Sequence, residues 1–509
     1  MVASNQALPA AAPAIAPRPA APQLLVAGLS LIAAAAVLTI MAVSAVSPDD
    51  QIKWGAVALA AFCFGLLPLM AISAGGTGLG LASWRLGAWS LVWGALAFGL
   101  ASISWIGTVN GAPAEILPAS VPRALWMIGV AMLMFTAGYC VGPWRISAGR
   151  AQRAVGRLSL RFTDQVRGPA VPWLLLAAGL VAQFGYALLT GHLGYVGNVQ
   201  ASVSTASGYS QYLAVVADCV PLSVAAAALR AYQVRTPAAW LTLWILFAIA
   251  IAVGAVEGGK ESFVDASLAV VIPHTIARRR IPVGAIAAAI LFFLLIVIPF
   301  NQAYRASARG AVTLTTGQAV AAAPAIAGQV LASDVSPAVL TQSAQYLAQR
   351  IRTIDSPAII VQRTPGQIPY SSTAELLIAP FADLIPRILW PGKPILTPGY
   401  QVSQEYYELP ANVYTSSDVT PEGDLYRHGG WVPLIAGMLV LGCVIRILDE
   451  VTDLRRSAHG ALLILLLFPG IVEAGSDCAS LLAGIPGMIL LWLIVVRVSF
   501  ARRAVPAPP

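Results

Sequence analysis

Runs of apolar residues about as long as a bilayer is thick recur along most of this 509-residue chain. A stretch of about 20 apolar residues is the length that an α-helix needs to cross a hydrocarbon core. Inside that core, every backbone polar group must be hydrogen-bonded within the protein. Hydrophobic residues make up 58% of the sequence and charged residues only 10%. Because a water-soluble fold of this size cannot bury so much apolar surface, the sequence predicts an all-α polytopic membrane protein.

Apolar periodicity and run length predict about twelve transmembrane helices. The first run is too long for the core of a signal peptide and little positive charge precedes it, so we interpret it as a retained helix. The Ala/Pro-rich residues 1–23 are predicted to be a disordered tail, and 499–509 a second tail. The predicted spans are 24–46, 54–73, 87–107, 122–143, 170–190, 211–230, 239–256, 263–276, 283–300, 431–448, 459–474 and 482–498.

The distribution of arginine predicts the orientation, because Lys and Arg gather in the cytoplasmic loops of membrane proteins. If both tails are cytoplasmic, one face receives every arginine-rich connection, from Arg85 through the cluster at 145–167 to Arg502 and Arg503. We therefore predict a multi-pass protein with both termini in the cytoplasm. The excess of 30 Lys+Arg over 22 Asp+Glu then reflects orientation and not nucleic-acid binding, because no basic domain interleaved with aromatic residues occurs.

Residues 301–430 are polar and, in this orientation, form one large extracytoplasmic loop domain between the ninth and tenth predicted helices. Apolar residues at helical spacing predict two amphipathic helices, at 339–354 and at 372–385 with a break near Pro380. These helices either lie in the membrane interface or pack as a small cap. Residues 311–333 are predicted to be irregular. ATP and nucleotide sugars are cytoplasmic, so chemistry in this loop needs a substrate that is already activated and that the membrane delivers.

The motif IPRILWPGKP (385–394) places two cations, Arg387 and Lys393, around Trp390. Prolines hold such a segment extended and rigid, and Trp suits a membrane interface or the face of a sugar. Two cations on a stiff frame can bind a diphosphate with little loss of entropy. The alternative is an interfacial tryptophan whose flanking charges reach for the membrane surface.

The motif DVTPEGDLYRHGGW (418–431) leads into the tenth predicted membrane helix. Thr420, then Pro421, then acidic residues are typical of a helix N-terminus. Residues four apart share a helix face, so Glu422 is predicted to lie beside Tyr426, and Asp424 beside His428. So many reactive groups exceed what helix capping needs, and a functional role is predicted. The side chains concerned are Glu422, Asp424, Tyr426, Arg427 and His428.

Further cations are predicted at the same membrane face. Arg305 and Arg309 follow the ninth predicted helix, and Lys260 follows the seventh in the polar turn EGGKE. A charge at a helix end often only reaches for the lipid headgroups, and for Lys260 this alternative stays open. No nucleotide-binding or metalloprotease motif occurs in a credible context, and four histidines are too few for a multi-histidine centre. The sequence therefore predicts neither a cofactor nor a metal.

The sequence resembles the Wzy-type oligosaccharide repeat-unit polymerases, which belong to the O-antigen polymerase and ligase group of membrane glycosyltransferases. The resemblance rests on the many membrane helices, on one large loop late in the chain, and on the patterns IPR-x-LWP-x-KP and TPEGDLY-x-x-GG. The resemblance implies transfer of a glycan from undecaprenyl diphosphate to another lipid-linked repeat unit, which builds a surface polysaccharide at the extracytoplasmic face of a bacterial inner membrane. The implied partners are the lipid-linked oligosaccharide and the bilayer, with a flippase and a chain-length co-polymerase as further candidates and no nucleic acid.

The resemblance also implies roles for individual residues. Cations grip the departing diphosphate, for which the paired donors of arginine are apt. Glu422, Asp424 or His428 accepts the proton of the acceptor hydroxyl, and the sequence does not choose among them. Aromatic side chains of Trp390, Tyr407 and Tyr426 stack on sugars. The pool of diphosphate-binding cations is Arg305, Arg309, Arg352, Arg387, Lys393 and Arg427, with Lys260 as a further substrate-binding residue.

Three alternatives stay open. A ligase would use the same donor with a different acceptor, and the sequence does not separate it from a polymerase. A multi-pass transporter or flippase of lipid-linked glycans is expected to carry mid-helix charges and an internal repeat, whereas mid-helix positions here are mostly apolar. A non-catalytic assembly partner would not need the clustered acids, Tyr, Arg and His of residues 422–428.

Overall fold

The computed structural model describes residues 21–74, 81–106, 113–141, 150, 153, 162–190, 192–193, 196–197, 210–308, 316–332, 336–385, 389–390, 398–410, 416–473, 475 and 477–502. This part of the chain is almost entirely helical, which confirms an all-α polytopic membrane protein. Ten helices of the described part are long and apolar enough to cross a bilayer: Pro22–Ser44, Pro48–Ser73, Leu86–Trp105, Ser120–Cys140, Ala170–Thr190, Tyr212–Val234, Pro237–Glu257, Val283–Ser307, Trp431–Val451 and Cys478–Ser499.

The other two predicted spans, 263–276 and 459–474, are helices as well but do not belong to those ten. In chain order the helices are α1 (Ala21–Ser44), α2 (Pro48–Ser73), α3 (Leu86–Trp93), α4 (Ser120–Cys140), α5 (Ala170–Thr190), α6 (Ser210–Ala217), α7 (Cys219–Val234), α8 (Pro237–Glu257), α9 (Glu261–Arg278), α10 (Val283–Phe292), α11 (Ile298–Ala308), α12 (Thr316–Ala332), α13 (Pro337–Ile351), α14 (Asp355–Arg363), α15 (Thr373–Leu384), α16 (Pro398–Glu405), α17 (Pro421–Arg427), α18 (Trp431–Val451), α19 (His459–Val472) and α20 (Cys478–Ser499). Short 3-10 helices lie at Leu81–Ser83 and Leu100–Trp105, and π-helical segments at Gly94–Gly99 and Phe293–Val297.

The second membrane helix begins six residues before the predicted start at 54, so the assignment of SPDDQIK to a loop was wrong. Ser47 caps the helix, because its hydroxyl accepts a hydrogen bond from the Asp50 amide at 3.1 Å. Pro48 occupies the first turn, and Asp49 and Asp50 complement the positive end of the helix dipole. The predicted sixth span, 211–230, corresponds to the membrane-length helix Tyr212–Val234, in which the single turn residue Asp218 separates α6 from α7.

Described residues of several connections that were predicted to share one face lie together at one end of the bundle, where the Arg85 Nη1 is 3.7 Å from a Glu450 oxygen. Asp449 of α18 accepts hydrogen bonds from the Leu86 and Gly87 amides at 2.7 and 3.1 Å and from the Tyr139 hydroxyl at 2.8 Å. The Arg446 guanidinium lies 3.0 Å from the Glu450 carboxylate at the same end. Hydrogen bonds from the first residues of α3 and from Tyr139 near the end of α4 to the buried Asp449 carboxylate therefore hold α3, α4 and α18 together.

Two short antiparallel strand pairs occur in the described part of the chain. Strand β1 (Phe162–Val166) pairs with β4 (Phe500–Arg502) at the arginine-rich end, whereas β2 (His192–Leu193) pairs with β3 (Val196–Gly197). The predicted C-terminal tail, 499–509, thus begins as the end of α20 and a strand, and residues 503–509 lie outside the described residues. Of the predicted N-terminal tail, residues 1–20 also lie outside them, and α1 begins at Ala21.

The segment 301–430 contains helices and is not a loose loop. Both predicted amphipathic helices are present as α13, which Ser336 caps, and as α15, which continues through Pro380 without the predicted break. The prediction of irregular structure at 311–333 was wrong, because Thr316–Ala332 is helical. Its many alanines favour a helix, and Ala323 and Ile326 pack against Phe300 and Tyr304 of α11.

Helix α14 ties this segment to the membrane bundle. Its residues Ala358, Ile359 and Ile360 are fully buried and belong to the same core as α4 and α17. The Gln362 amide donates to the Glu115 carbonyl at 2.9 Å, and its carbonyl accepts from the Leu117 amide at 2.8 Å. The predicted loop domain is therefore anchored between the membrane helices at the end opposite to the arginine-rich connections.

Candidate functional site

The helix predicted at 420–428 is present as α17 and is buried along its whole length. The Thr420 hydroxyl caps it by accepting a hydrogen bond from the Gly423 amide at 3.2 Å. The helix ends at Arg427, and Gly430, with φ +73°, turns the chain into α18. A side chain is strained in that backbone conformation. The sequence thus forms a separate, short buried helix at the entry of a membrane span.

Within α17, two of the predicted catalytic residues form an ion pair. The Arg427 Nε donates to the Asp424 Oδ1 at 2.9 Å, and the other carboxylate oxygen accepts from the Cys478 amide at 3.2 Å. His428 lies against the same carboxylate, with 3.5 Å between its Nδ1 and the Asp424 Oδ1, and its Nε2 is 3.5 Å from a Glu375 oxygen. These contacts join α17 to α15 and α20, so this group has a clear role in packing whatever else it does.

Glu422 has different surroundings from Asp424. Its side chain is 2% exposed, and its Oε2 has no hydrogen-bond partner among the described residues. It borders a small cavity of about 30 Å³, which Trp93, Phe135 and Met438 also line. Such a volume can hold a water molecule. Burial in this apolar site raises the pKa of Glu422 from 4.5 to about 7, so a proton on this carboxyl is retained near neutral pH.

A second group of charges gathers around the turn between α8 and α9, and we call it the polar cluster: Lys260, Glu261, Arg350, Asp418 and Glu473. Burial, and then the charge of Arg350, lower the pKa of Lys260. Burial, and then the charge of Glu261, raise the pKa of Glu473 to about 7, whereas the charge of Lys260 acts to lower it. Burial also raises the pKa of Asp418, against the charges of Arg350 and Lys260. Residues from four distant segments of the chain therefore act on one another here.

Contacts with the backbone fix the position of Lys260. Gly258 ends α8 in the left-handed region, with φ +67°, and its carbonyl accepts a hydrogen bond from the Arg305 Nε at 3.0 Å. The Tyr304 hydroxyl donates to the Val256 carbonyl at 2.7 Å. Arg305, predicted as a diphosphate-binding cation, thus stabilises the C-terminal end of α8 next to the polar cluster.

Arg352 and Tyr407 lie beside the polar cluster. The Arg352 guanidinium grips the Asp355 carboxylate through Nε and Nη2, both at 2.9 Å, and lies 5.1 Å from the centre of the Trp105 ring. Burial, and then the charges of Asp355 and Asp418, raise the pKa of Tyr407. Arg352 is therefore an anchor for α14, and Tyr407 lies within electrostatic range of both Asp355 and Asp418.

The structure thus places the predicted site residues in two neighbouring groups and leaves some apart. Glu422, Asp424, Tyr426, Arg427 and His428 lie together in α17, whereas Lys260, Arg305, Arg352 and Tyr407 lie in or beside the polar cluster. Trp390 is 37% exposed. Arg309, Arg387 and Lys393 lie outside the described residues.

The sequence did not single out Asp355, Asp418 or Glu473 as site residues. Glu473 follows an apolar helix on the face predicted to be extracytoplasmic, as Lys260 does, and this shared placement was the available signal. Its proximity to Lys260 depends on which helices pack together. Among the described residues no group of His, Cys, Asp and Glu is arranged to hold a metal ion, so the expected absence of a metal or cofactor stays a prediction.

Two further carboxylates lie inside predicted membrane spans. Asp218 occupies the break between α6 and α7, and Asp265 lies in the second turn of α9. The two interact electrostatically, and the charges of Glu473 and Glu261 in the polar cluster also act on Asp265. Mid-helix positions are therefore less uniformly apolar than the sequence analysis assumed, and these acids extend the polar cluster toward the membrane interior.

Comparison with known proteins gives a family but no activity. A family model described as a domain of unknown function (DUF8712) matches residues 186–454. The matched segment includes the break at Asp218, the turn at Lys260, the segment 301–430 and all of α17. No curated protein and no solved structure matches the chain.

Proposed function

This chain belongs to the DUF8712 family, a domain of unknown function, and we propose that it polymerises undecaprenyl-diphosphate-linked oligosaccharide repeat units into a surface polysaccharide. The reaction would take place at the extracytoplasmic face of a bacterial inner membrane. The observation that carries the proposal is the polar cluster, in which cations and carboxylates with shifted pKa values converge at the bundle end opposite to the arginine-rich connections.

The chemistry of glycosyl transfer from a diphosphate matches the composition of this cluster. The acceptor hydroxyl oxygen forms a bond to the anomeric carbon of the donor, the bond from that carbon to the diphosphate breaks, and the hydroxyl proton passes to a base. The leaving undecaprenyl diphosphate keeps the electron pair and needs cations nearby. Lys260 and Arg350, whose charges act on each other, supply such cations. No nucleotide is required, because the diphosphate bond already carries the activation.

Glu473 is the base that we assign to this reaction. A general base works best when its pKa lies near the operating pH, and the pKa of Glu473 is about 7. The side chain is half-buried, so it stays within reach of a substrate. The sequence-predicted bases Glu422, Asp424 and His428 lie deeper, each at most 3% exposed. We propose that these three residues hold α17 in place, and with it Asp418 of the polar cluster, which lies three residues before the start of α17.

The test is polymer formation by the purified protein in nanodiscs, supplied with an undecaprenyl-diphosphate oligosaccharide from the host. We expect a ladder of repeat units whose rate rises as pH increases through about 7, as Glu473 loses its proton. Glu473→Gln should lower the rate by roughly 100-fold or more and abolish this pH limb. Glu405→Gln is the control for loss of a carboxylate, because Glu405 is exposed on α16 in the segment 301–430, and it should retain the wild-type ladder.

Two results would contradict the proposal at different levels. A ladder from Glu473→Gln with an unchanged pH limb would overturn the assignment of the base and leave the enzyme. No ladder from the wild type with verified native substrate would overturn the polymerase itself. Transfer of the glycan to a lipid core or a protein in that sample would instead identify a ligase, which uses the same donor chemistry.

A transporter of lipid-linked glycans is the second candidate, and the acids Asp218 and Asp265 favour it. Intramembrane acids are typical of ion-coupled carriers, and Asp218 and Asp265 interact electrostatically inside predicted membrane spans. In proteoliposomes with an imposed pH gradient, this function predicts gradient-dependent movement of the lipid-linked glycan that Asp265→Asn abolishes. Polymer formation that Asp265→Asn leaves unchanged, without such movement, would exclude it.

A further inference from the structure

An apolar groove lies between α1, α2 and α4, apart from the polar cluster. Its volume is about 550 Å³. Thr39 and Gln51 are polar, whereas aliphatic and aromatic side chains make up almost all of the remaining lining. Small residues, among them Ala58 and Gly129, form part of its floor and walls. All three helices are membrane spans, so the groove opens toward lipid and not toward water.

The groove occupies one half of the membrane thickness. It is lined by residues 32–43 of α1, 51–62 of α2 and 122–133 of α4. Twelve helical residues extend for about 18 Å at ~1.5 Å each, close to one leaflet of a hydrocarbon core of about 30 Å. In the other half, α1 and α2 are in backbone contact, because a Cβ atom at Gly28 would lie 2.8 Å from the Gly65 carbonyl oxygen. The groove therefore ends near the bilayer midplane.

The open end of the groove faces the candidate site. Pro122 lines it, and the neighbouring Arg123 is exposed and interacts electrostatically with Tyr426 of α17. The segment that leads into α4 is held by Gln362 of α14 through hydrogen bonds of 2.8 and 2.9 Å. Residues next to the mouth of the groove thus contact the segment 301–430, and the Arg123 cation neighbours the lining residue Pro122.

We propose that this groove binds the polyprenyl tail of the lipid-linked substrate and presents its diphosphate to the candidate site, an inference that rests on the proposed function. A tail of this kind is pure hydrocarbon and is joined directly to a diphosphate. Its burial matches the apolar lining, and Arg123 complements the negative charge where the tail ends. The small residues leave the groove open, because a Cβ atom at Gly129 would have Leu59 Cδ1, at 3.9 Å, as its nearest neighbour.

Photolabelling in nanodiscs tests the groove independently of activity. The probe is undecaprenyl diphosphate with a diazirine on its tail, and labelled peptides are identified by mass spectrometry. We expect labelling of the groove segments of α1, α2 and α4 that unmodified undecaprenyl diphosphate displaces. Gly129→Leu, which fills the groove, should lower this labelling at least fivefold. Gly284→Leu is the matched control, because Gly284 on α10 has no atom within 4 Å of an added Cβ, and it should label like the wild type.

Ala36→Leu, on the exposed α1 wall of the same groove, gives a second variant if Gly129→Leu does not fold, and the same loss is expected. Equal labelling in the filled variants, or equal labelling by a diazirine phosphatidylglycerol that undecaprenyl diphosphate does not displace, would overturn the proposal. Displaceable groove labelling without any polymer ladder would support the groove and refute the polymerase. A ladder with labelling outside the groove would support the polymerase and refute the groove.

Discussion

Glu422 and Asp424 lie two residues apart on α17, and replacing each carboxylate with the corresponding amide should change the stability of the protein in opposite directions. Both side chains are buried, at 2% and 1% exposure. Asp424 faces the Arg427 guanidinium at 2.9 Å and the Cys478 amide at 3.2 Å. The Oε2 of Glu422 has no hydrogen-bond partner among the described residues, and its pKa is about 7. Comparing Asp424→Asn with Glu422→Gln separates a paired buried charge from an unpaired one.

The expected magnitudes follow from these surroundings. Asp424→Asn leaves the Arg427 charge buried without its partner, which costs about 3–5 kcal/mol of unfolding free energy. For Glu422, a pKa shift from 4.5 to about 7 corresponds to a penalty of roughly 3 kcal/mol for the ionised folded state, at ~1.4 kcal/mol per unit. Glu422→Gln removes that penalty but buries an amide that costs ~1–3 kcal/mol if unpaired. The variant should therefore be near neutral or more stable than the wild type at about pH 8.

The sign of the pH effect is fixed by the direction of the shift. The folded state holds the Glu422 proton more tightly than the unfolded state, so this group's stabilising contribution is present at low pH. It is lost as pH rises from about 4.5 to about 7. The stability difference, Glu422→Gln minus wild type, should accordingly increase across that window, whereas Asp424→Asn should be the less stable protein throughout.

The assay is thermal unfolding in detergent, followed by intrinsic tryptophan fluorescence at about pH 4 and about pH 8, below and above the window in which the Glu422 contribution is lost. A Glu422→Gln difference that does not change with pH would show that the ionised carboxylate meets no penalty in the folded state, and the argument from burial would fail. An Asp424→Asn protein as stable as the wild type would show that the ion pair does not hold α17. If that stable variant also made no polymer, Asp424 would belong to the catalytic machinery.

Further predictions concern the packing of the bundle. Gly138→Ala should destabilise the fold by about 1–3 kcal/mol, because the new Cβ would lie 2.0 Å from a backbone carbonyl oxygen of α18. Gly129→Ala on the same helix should be neutral or stabilising by ~0.5–1 kcal/mol. Equal unfolding midpoints for the two variants would contradict the close approach of α4 and α18 at Gly138. Asp449→Asn replaces one of the two carboxylate oxygens, which together accept from two amides and a tyrosine hydroxyl, with an NH₂ donor and should cost ~1–3 kcal/mol in chemical unfolding. Arg352→Lys keeps the charge but loses the paired grip on a carboxylate, so a loss of ~1 kcal/mol is expected; unchanged stability would indicate that charge alone suffices.

The membrane spans could be predicted because their signal is local. Apolar length and arginine placement are properties of short segments, and the helices formed where the predicted runs lie. The errors were also local. The early start of α2 came from a cap, Ser47, followed by Pro48, in a stretch that composition alone assigned to a loop. The helix at Thr316–Ala332 formed because alanine propensity and packing against α11 outweighed the absence of an amphipathic pattern.

The site was predictable only where it is contiguous in sequence. The cap at Thr420 and the pairing of Asp424 with His428 follow from spacing along one helix, and both are present. The polar cluster is not contiguous, since Lys260, Asp418 and Glu473 come from connections far apart in the chain. Sequence alone placed these connections on one membrane face but gave no reason to bring them together.

The sequence by itself determined that this chain is a polytopic helical membrane protein, which connections share a face, and that residues 420–428 form a capped helix with reactive side chains. Hydrophobic length, charge bias and helix capping act over a few turns and leave a direct trace in the residues. The tertiary structure decided which charges are partnered, why Glu422 and Asp424 differ, and where a groove remains between α1, α2 and α4. These properties depend on helix packing, because the pKa of a buried group and the volume beside it are set by neighbours that the chain brings from elsewhere.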